Sequence, residues 1–445
     1  GKAVPRWLRQ VLLRGLSRAP NDRFPTMAAL LGELRRDRTL ARRRALQAAV
    51  LAGLAVAGVV GWQRARKAQE NMCQGAEARA GEVWGPAAKA TVRAAFVATG
   101  KPYAEDTWRA VERNLDAYTR SWAVMRTEAC AATRLRGEQS EELLDLRMQC
   151  LDARLTEVQT QVGAFARGER EVVEGAVRAS QSLGALATCA DVAALRQPVP
   201  LPRGAEQQGK VAEARSAAAQ ARALFEAARF NEGLAAANLG VERAREGGFR
   251  PAEAEALLAK GRLERGAGDF RGAEATLRSA WLAAEAGRHE EVRARAWIEL
   301  VWVRGDGLGQ YESAHDAART AEAILEPMGP QEALRGTLLR NDSNTYFREG
   351  KYQEAIAVAG RALELLERAL GAEHPDLGDT HNQIGHGHYA LGHADEARSE
   401  YTRALTVWQN ALGPNHPQVA RALNNLGNIA NDAGRYDEAE SYFLR

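Results

Sequence analysis

The chain has 445 residues, a formal charge of +3 and four cysteines, so it is too long for one domain and too close to neutral to call for a nucleic-acid partner. Alanine and arginine dominate long amphipathic runs and β-branched clusters are few, which excludes a β architecture and predicts an all-α protein.

Residues 1 to 36 read as two short amphipathic helices around a Pro20-Asn21-Asp22 turn. Trp7, Leu8, Val11, Leu12 and Leu16 form one stripe, and Met27, Leu30, Leu31 and Leu34 the other. A basic linker, residues 37 to 44, leads to ALQAAVLAGLAVAGVVGW at 45 to 62, a stretch without a charged side chain. Eighteen helical residues span roughly 27 Å, close to the ~30 Å of a bilayer core, with Trp62 at one rim. This predicts a transmembrane helix, with a buried core helix as the alternative. Arg35, Arg36, Arg38, Arg42, Arg43 and Arg44 precede it, against Arg64, Arg66 and Lys67 after it. The heavier positive side stays inside, so the N-terminal side is expected in the cytoplasm and everything from about residue 68 outside. Ala45, Ala49, Gly53, Ala57 and Gly61 would share one helix face, a seam through which two spans could pair as a homodimer.

Residues 70 to 196 are expected to form an extracytoplasmic helical domain that carries all four cysteines. One helix is predicted from about Cys73 to Ala98, another from about Glu105 to Leu135, a third behind Ser140, and a last one ending near Cys189. Antiparallel packing of these helices would bring Cys73 near Cys130 and Cys150 near Cys189, giving two disulfides; free buried thiols are the alternative. Gln197-Pro198-Val199-Pro200-Leu201-Pro202 opens a proline-rich linker, residues 197 to 207.

From residue 208 to 445 the chain repeats. Phe230, Phe270, Tyr311, Tyr352, Ala394 and Tyr436 follow one another at steps of 40, 41, 41, 42 and 42 residues. Three residues after each stands Gly233, Ala273, Ala314, Ala355, Ala397 or Ala439, and Gly268, Gly309, Gly350, Gly392 and Gly434 stand two before the last five. Such a period predicts a solenoid of helix pairs, about six units with the last truncated and further repeats expected to follow it. The glycine ends helix A, the aromatic starts helix B, and the small residue lets the two touch. The earlier units depart from the pattern: Trp302 stands where a glycine is expected, and Gly305-Asp306-Gly307 looks inserted.

In the last three units the A helices would carry matching polar rows, Arg340 and Asn344, Asn382 and His386, Asn424 and Asn428. Amide donors and acceptors in register suit the backbone of an extended peptide, which makes these six the candidate peptide-binding residues. The alternative is a merely solvated face. No catalytic constellation stands out. The histidines His374, His381, His386, His388, His393 and His416 offer no metal site: His381 and His388 share a face but lie roughly 10 Å apart along the axis.

Three resemblances rest on these residues. Ile384-Gly385, Leu426-Gly427, Tyr401, Phe443, Ala404-Leu405 and the linkers Leu370-Gly371-Ala372-Glu373-His374-Pro375 and Leu412-Gly413-Pro414-Asn415-His416-Pro417 make the array similar to tetratricopeptide repeats of the 42-residue kinesin-light-chain variety. In those proteins ligands commonly lie along the A helices. Arg18, Pro20, Asp22, Arg23 and Phe24 resemble the motif that closes the catalytic domain of bacterial serine/threonine protein kinases. There the residue matching Arg23 is a structural anchor that pairs with a glutamate of the activation segment. ATP and Mg²⁺ are implied for such a kinase domain, but none of the residues that bind them or catalyse phosphoryl transfer is present, so this chain holds no cofactor of its own. The cysteine-bearing region looks like the juxtamembrane part of myxobacterial membrane kinases. Together they imply the C-terminal part of a single-pass receptor kinase of the bacterial cytoplasmic membrane, with repeats outside that bind a protein or peptide. The alternative is a membrane-tethered repeat scaffold without kinase activity.

Overall fold

The computed structural model describes residues 4–35, 38–71, 73–195 and 199–445. Residues 1 to 3, Arg36 and the first residue of the basic linker, and Gln197 and Pro198 of the proline-rich stretch lie outside the described residues. So do the side chains of Arg38, Arg42, Arg43, Arg44, Arg64, Arg66 and Lys67, on which the expected orientation rests. Every regular element among the described residues is helical. The chain forms two compact units, residues 1–74 and 75–445.

In the first unit, α1 (Arg6–Gly15) and α2 (Met27–Arg35) flank a short 3₁₀ turn, Pro20–Asp22. Gly15 lets the Leu30 side chain approach, the Arg23 Nε donates to the Ser17 carbonyl at 2.7 Å, and the Arg14 guanidinium lies 4.7 Å from the Phe24 ring centroid. Arg23 therefore ties the turn together locally. A single helix, α3 (Arg38–Asn71), follows. Within it Ala45–Gln63 is long and apolar enough to cross a membrane by length and composition, and none of it is buried.

The second unit opens with a helical bundle. The stretch expected as one helix to Ala98 is two, α4 (Ala76–Val83) and α5 (Pro86–Ala98). The break falls at Gly85-Pro86, because proline removes a helix hydrogen bond and crowds the preceding turn. A side chain at position 85 would sit 2.2 Å from the Gly81 carbonyl oxygen. Then come α6 (Ala104–Arg134), α7 (Glu141–Phe165), α8 (Arg170–Gln181) and α9 (Val192–Leu195). The Ser140 Oγ caps α7 by accepting from the Leu143 N–H at 3.2 Å. The last predicted helix stops at Gln181, and the chain reaches Cys189 through a 3₁₀ turn, Leu186–Cys189. Cys150 and Cys189 form a disulfide with Cα atoms 5.5 Å apart, joining that turn to α7, and Cys73 and Cys130 are in disulfide form as well. Trp122, wholly buried, donates its indole N–H to the Leu151 carbonyl at 2.6 Å, so this corner is fixed by packing as well as by the bridge.

The repeats pair A helices with B helices: α10 (Ala205–Glu226) with α11 (Phe230–Glu246), α12 (Arg250–Gly266) with α13 (Phe270–Ala286), α14 (Glu290–Trp302) with α15 (Tyr311–Leu325), α16 (Glu332–Glu349) with α17 (Tyr352–Leu370), α18 (Pro375–Ala390) with α19 (Ala394–Leu412), and α20 (Pro417–Asp432) with α21 (Tyr436–Leu444). Each residue of the aromatic series is the first residue of its B helix. The glycines two positions earlier, Gly268 to Gly434, have φ between 65° and 84°, the left-handed end of an A helix. In the first pair Ala228 adopts the same conformation, φ 54°, without glycine's freedom. Val199 and Leu201 of the proline-rich stretch pack on Val211, Ala214, Ala244, Phe249 and Ala252, so this part of it is anchored to the first repeat.

The segment after Trp302 that looks inserted forms a turn of π-helix, Val303–Gly307. An extra residue in an A helix is accommodated most cheaply as such a bulge. Gly305 lies against Thr345 and Gly307 against Phe270, positions where any side chain would collide.

Small residues on A helices receive large ones from B helices. A Cβ on Gly385 would lie 2.6 Å from a ring carbon of buried Tyr401, and one on Gly378 2.4 Å from the Trp408 indole nitrogen. By contrast Gly360, inside α17, has nothing within 4 Å of the corresponding point. Gly385→Ala is therefore expected to cost about 1–3 kcal/mol through overpacking, and Gly360→Ala to be neutral or to stabilise by up to about 1 kcal/mol through helix propensity. Urea unfolding of the two variants checks this, and equal effects would refute the packing account.

Candidate functional site

The A helices of neighbouring units present their side chains side by side, and the structure joins them into one polar surface. Its sign alternates from helix to helix: Glu226 on α10, Arg262 on α12, Glu299 on α14, Arg340 on α16, Asp376 and Asp379 on α18, and Arg421 on α20. Arg262 bridges Glu226 at 3.2 Å and Glu299 at 3.1 Å, and Arg265 reaches Glu299 at 3.0 Å. Arg340 meets Asp376 at 3.2 Å, and Arg421 meets Asp379 at 2.7 Å. Burial alone would raise the Asp376 carboxyl. The Arg340 and Arg178 guanidiniums, with His374 beside them, outweigh it and hold the group down at about 2. Burial likewise works against the Glu299 carboxylate, yet Arg265 and Arg262 keep it below the usual range. Arg265 is itself packed against aromatic rings, 4.8 Å from the Trp302 centroid and 5.4 Å from Phe225.

The six candidate residues lie on this surface, in different states. Arg340 is engaged by Asp376, and Asn344 donates to Asp306 at 2.9 Å. Asn382 is buried and accepts from Asn425 at 2.8 Å. His386 is half-buried, its ring 5.6 Å from Tyr401 and 6.2 Å from Phe347, and burial pushes its pKa down. Asn424 and Asn428 are exposed. The sequence reading overlooked the neighbouring ladder. Asn341 donates to the Ile298 carbonyl at 3.0 Å, Gln383 donates to the Arg340 carbonyl at 3.3 Å, and Asn425 donates to Asn382, each tying one A helix to the one before. It also overlooked the row Thr337, Asp379 and Arg421, three residues ahead of the row headed by Arg340. The 42-residue step from Asp379 to Arg421 was the signal that could have found it.

Three of the other histidines, His374, His381 and His416, hold the array together. His374 and His416 each precede a proline at the first helical position, and each ring Nδ1 accepts the N–H two residues on, from Asp376 at 3.2 Å and Gln418 at 3.3 Å. His381 pairs with Glu400 at 2.7 Å.

The bundle docks on this same surface. Arg178 of α8 donates from Nη1 to Asp376 at 3.1 Å and from Nη2 to Asp379 at 2.5 Å. His416 donates its ring proton, on Nε2, to the Glu174 carbonyl at 3.2 Å, and Tyr103, immediately ahead of α6, packs edge-on against that ring at 5.2 Å. Tyr103, Trp108, Val173 and Val177 of the bundle fall in one buried cluster with Tyr401, Trp408, Leu412 and Leu423 of the repeats.

Residues 335–407 and 376–445 match the tetratricopeptide repeat family. A stretch of 50 residues is 52% identical to a nucleotide-binding leucine-rich repeat (NLR)-like protein of Hyaloscypha variabilis; it covers 11% of this chain and 5% of that protein's length. Among solved structures, BtubC (BKLC) from P. vanneervenii is 22% identical, covering 54% of this chain and 89% of its own with a TM-score of 0.39. A Podosopora anserina putative kinesin light chain with nearly identical TPR-like repeats is 18% identical, covering 42% of this chain and 90% of its own with a TM-score of 0.36. The apo form of RapI is 14% identical, covering 68% and 75% with a TM-score of 0.43. All regular structure among the described residues is helical, and the last three helix pairs fall within the stretch that matches the tetratricopeptide repeat model, a repeat whose stacked helices commonly bind protein partners.

Burial lowers the His416 pKa to about 4 from an ordinary 6.5; the hydrogen bond to the Glu174 carbonyl pulls it up and Arg178 pushes it down. The folded chain therefore resists a proton that the unfolded chain accepts. Stability is complete above pH 6.5 and falls as pH drops toward 4, by about 3 kcal/mol for a shift of this size. Urea unfolding between pH 7 and 4.5 is expected to show that slope, and His416→Gln to reduce it. An unchanged slope in the variant would contradict the assignment.

Proposed function

We propose that this chain is the C-terminal part of a membrane-anchored serine/threonine protein kinase whose repeats lie outside the cell membrane and bind a protein or peptide. The surface of the A helices carries the reading. Exposed amides at Asn424 and Asn428 continue a row of polar side chains already ordered at Asn344, Asn382 and His386. An extended peptide laid along that row would find exposed donors and acceptors at Asn424 and Asn428, while the members already paired hold the helices beneath in place.

The anchoring rests on α3, whose apolar stretch Ala45–Gln63 has no burial in the chain itself and the length a bilayer requires. Disulfide formation by all four cysteines agrees with an oxidising exterior for the region beyond it. The hairpin around Arg23 supplies the kinase resemblance, and ATP and Mg²⁺ belong to residues that this sequence does not contain. In this reading the ligand alters the pairing of spans through the face of Ala45, Ala49, Gly53, Ala57 and Gly61, and so the pairing of kinase domains inside. A membrane-tethered scaffold without kinase activity is the competing reading; it shares the groove and the anchor.

Topology tests both halves of the anchoring proposal. Alkaline phosphatase fused after residue 445 should be active in intact bacteria, the same enzyme fused ahead of residue 1 inactive, and both fusions should sediment with membranes. Two fusions of equal activity would place the ends on one side and overturn it.

A further inference from the structure

We propose that the A-helix surface of the fifth repeat is a binding place for an arginine side chain of a partner peptide, and that Arg178 of the chain's own α8 fills that place at rest. The proposal rests on the reading of this surface as a peptide groove and names the chemistry it selects. Asp379, Asn382 and His386 fall at spacings of three and four residues, on one face of α18. Arg178 reaches this face from outside the array. Its two terminal nitrogens go to two different carboxylates, Asp376 at 3.1 Å and Asp379 at 2.5 Å, the fixed fork of a planar guanidinium, where a lysine ammonium would have to reach both acids from a single nitrogen.

The carboxylates have partners inside the array already. Arg340 holds Asp376 and Arg421 holds Asp379, so Arg178 is a third guanidinium on a pair of acids. Its departure would leave each carboxylate paired, with lone pairs free for another donor. The side chain keeps 28% of its surface exposed, while Val172, Val173, Ala176 and Val177 of α8 are buried in the cluster that the bundle shares with the repeats, so the guanidinium can leave with α8 still docked. A peptide running over the exposed Asn424 and Asn428 toward Asn382 would bring its next side chain to Asp379, where an arginine meets two acids. The resident Arg178 is held at a high effective concentration and competes with it, so the partner has to displace it.

The test uses the full chain and two fluorescein-labelled peptides, one with the sequence of residues 174–182 and one with glutamine in place of its arginine, followed by fluorescence anisotropy. The arginine peptide should bind the Arg178→Gln chain about ten- to a hundredfold more tightly than the wild type, the value of one or two charge-assisted bonds. The glutamine peptide should show no such gain, and adding Asp379→Asn should abolish it. Arg178→Lys, which keeps the charge and loses the fork, should give a smaller gain and serves in the same comparison if the glutamine variant does not fold. Equal binding of both peptides, weakened alike by Asn424→Ala, would overturn the arginine place while leaving the groove reading intact. Absence of binding by the arginine peptide to a folded Arg178 variant would also overturn it. If an extended peptide that binds the wild type is indifferent to Asn424→Ala and Asn428→Ala, the groove reading itself fails.

Discussion

The contact between the bundle and the last two repeats sets the geometry of everything else in residues 75–445. A helix-pair array by itself touches only neighbouring units, so its curvature is a sum of small rotations with little to fix the total. Here α8 and α6 reach across from the front of the array to its end, and the buried cluster shared by Trp108, Val173 and Val177 with Tyr401, Trp408 and Leu412 supplies the apolar part of the contact. Hydrogen bonds add specificity. Arg178 requires Asp376 and Asp379 at fixed separation, and His416 requires the Glu174 carbonyl on one nitrogen and the Gln418 amide on the other. Neutral His416 can satisfy both bonds and its protonated form cannot, which is why burial and bonding agree on its state.

The charge pattern of the A helices follows from the same crowding. Guanidiniums and carboxylates packed at helix–helix seams are costly unless each meets an opposite partner, and alternation of sign provides one on a neighbouring A helix for each of these groups, with bridges across every seam from α10 to α20 except that between α14 and α16. These pairs are better regarded as fixing register than as a source of stability. The apolar interior carries the latter, with Leu263, Leu277, Leu300, Leu325 and Leu366 all essentially without exposed surface.

Much of this was legible in the sequence for a simple reason: a repeat states its own rule several times. The aromatic at the head of each B helix and the glycine before it recur at nearly constant steps, and the helices begin where the series says they should. Local rules failed where one residue competed with a longer pattern. Alanine-rich periodicity runs through Gly85-Pro86, yet the missing amide of proline decides the matter and divides the helix. The irregular stretch at Gly305-Asp306-Gly307 was visible as an insertion, but its resolution as a π-turn depends on room against Thr345 and Phe270. Docking of the bundle was not legible at all. Arg178 and Asp379 are 201 residues apart, and Glu174 and His416 are 242 apart, so no spacing or periodicity connects them. Periodicity places the polar rows on the A helices, but which of their members are free and which are occupied depends on contacts between helices that no single row encodes.

Native-state hydrogen exchange in rising urea tests most directly whether α8 and the fifth and sixth repeats form one cooperative piece. Amides of α8, α18 and α20 should lose protection together, with the same opening free energy and the same dependence on urea. If α8 opened at lower urea while α18 and α20 kept their protection, the bundle would be an appendage and the central claim would be wrong.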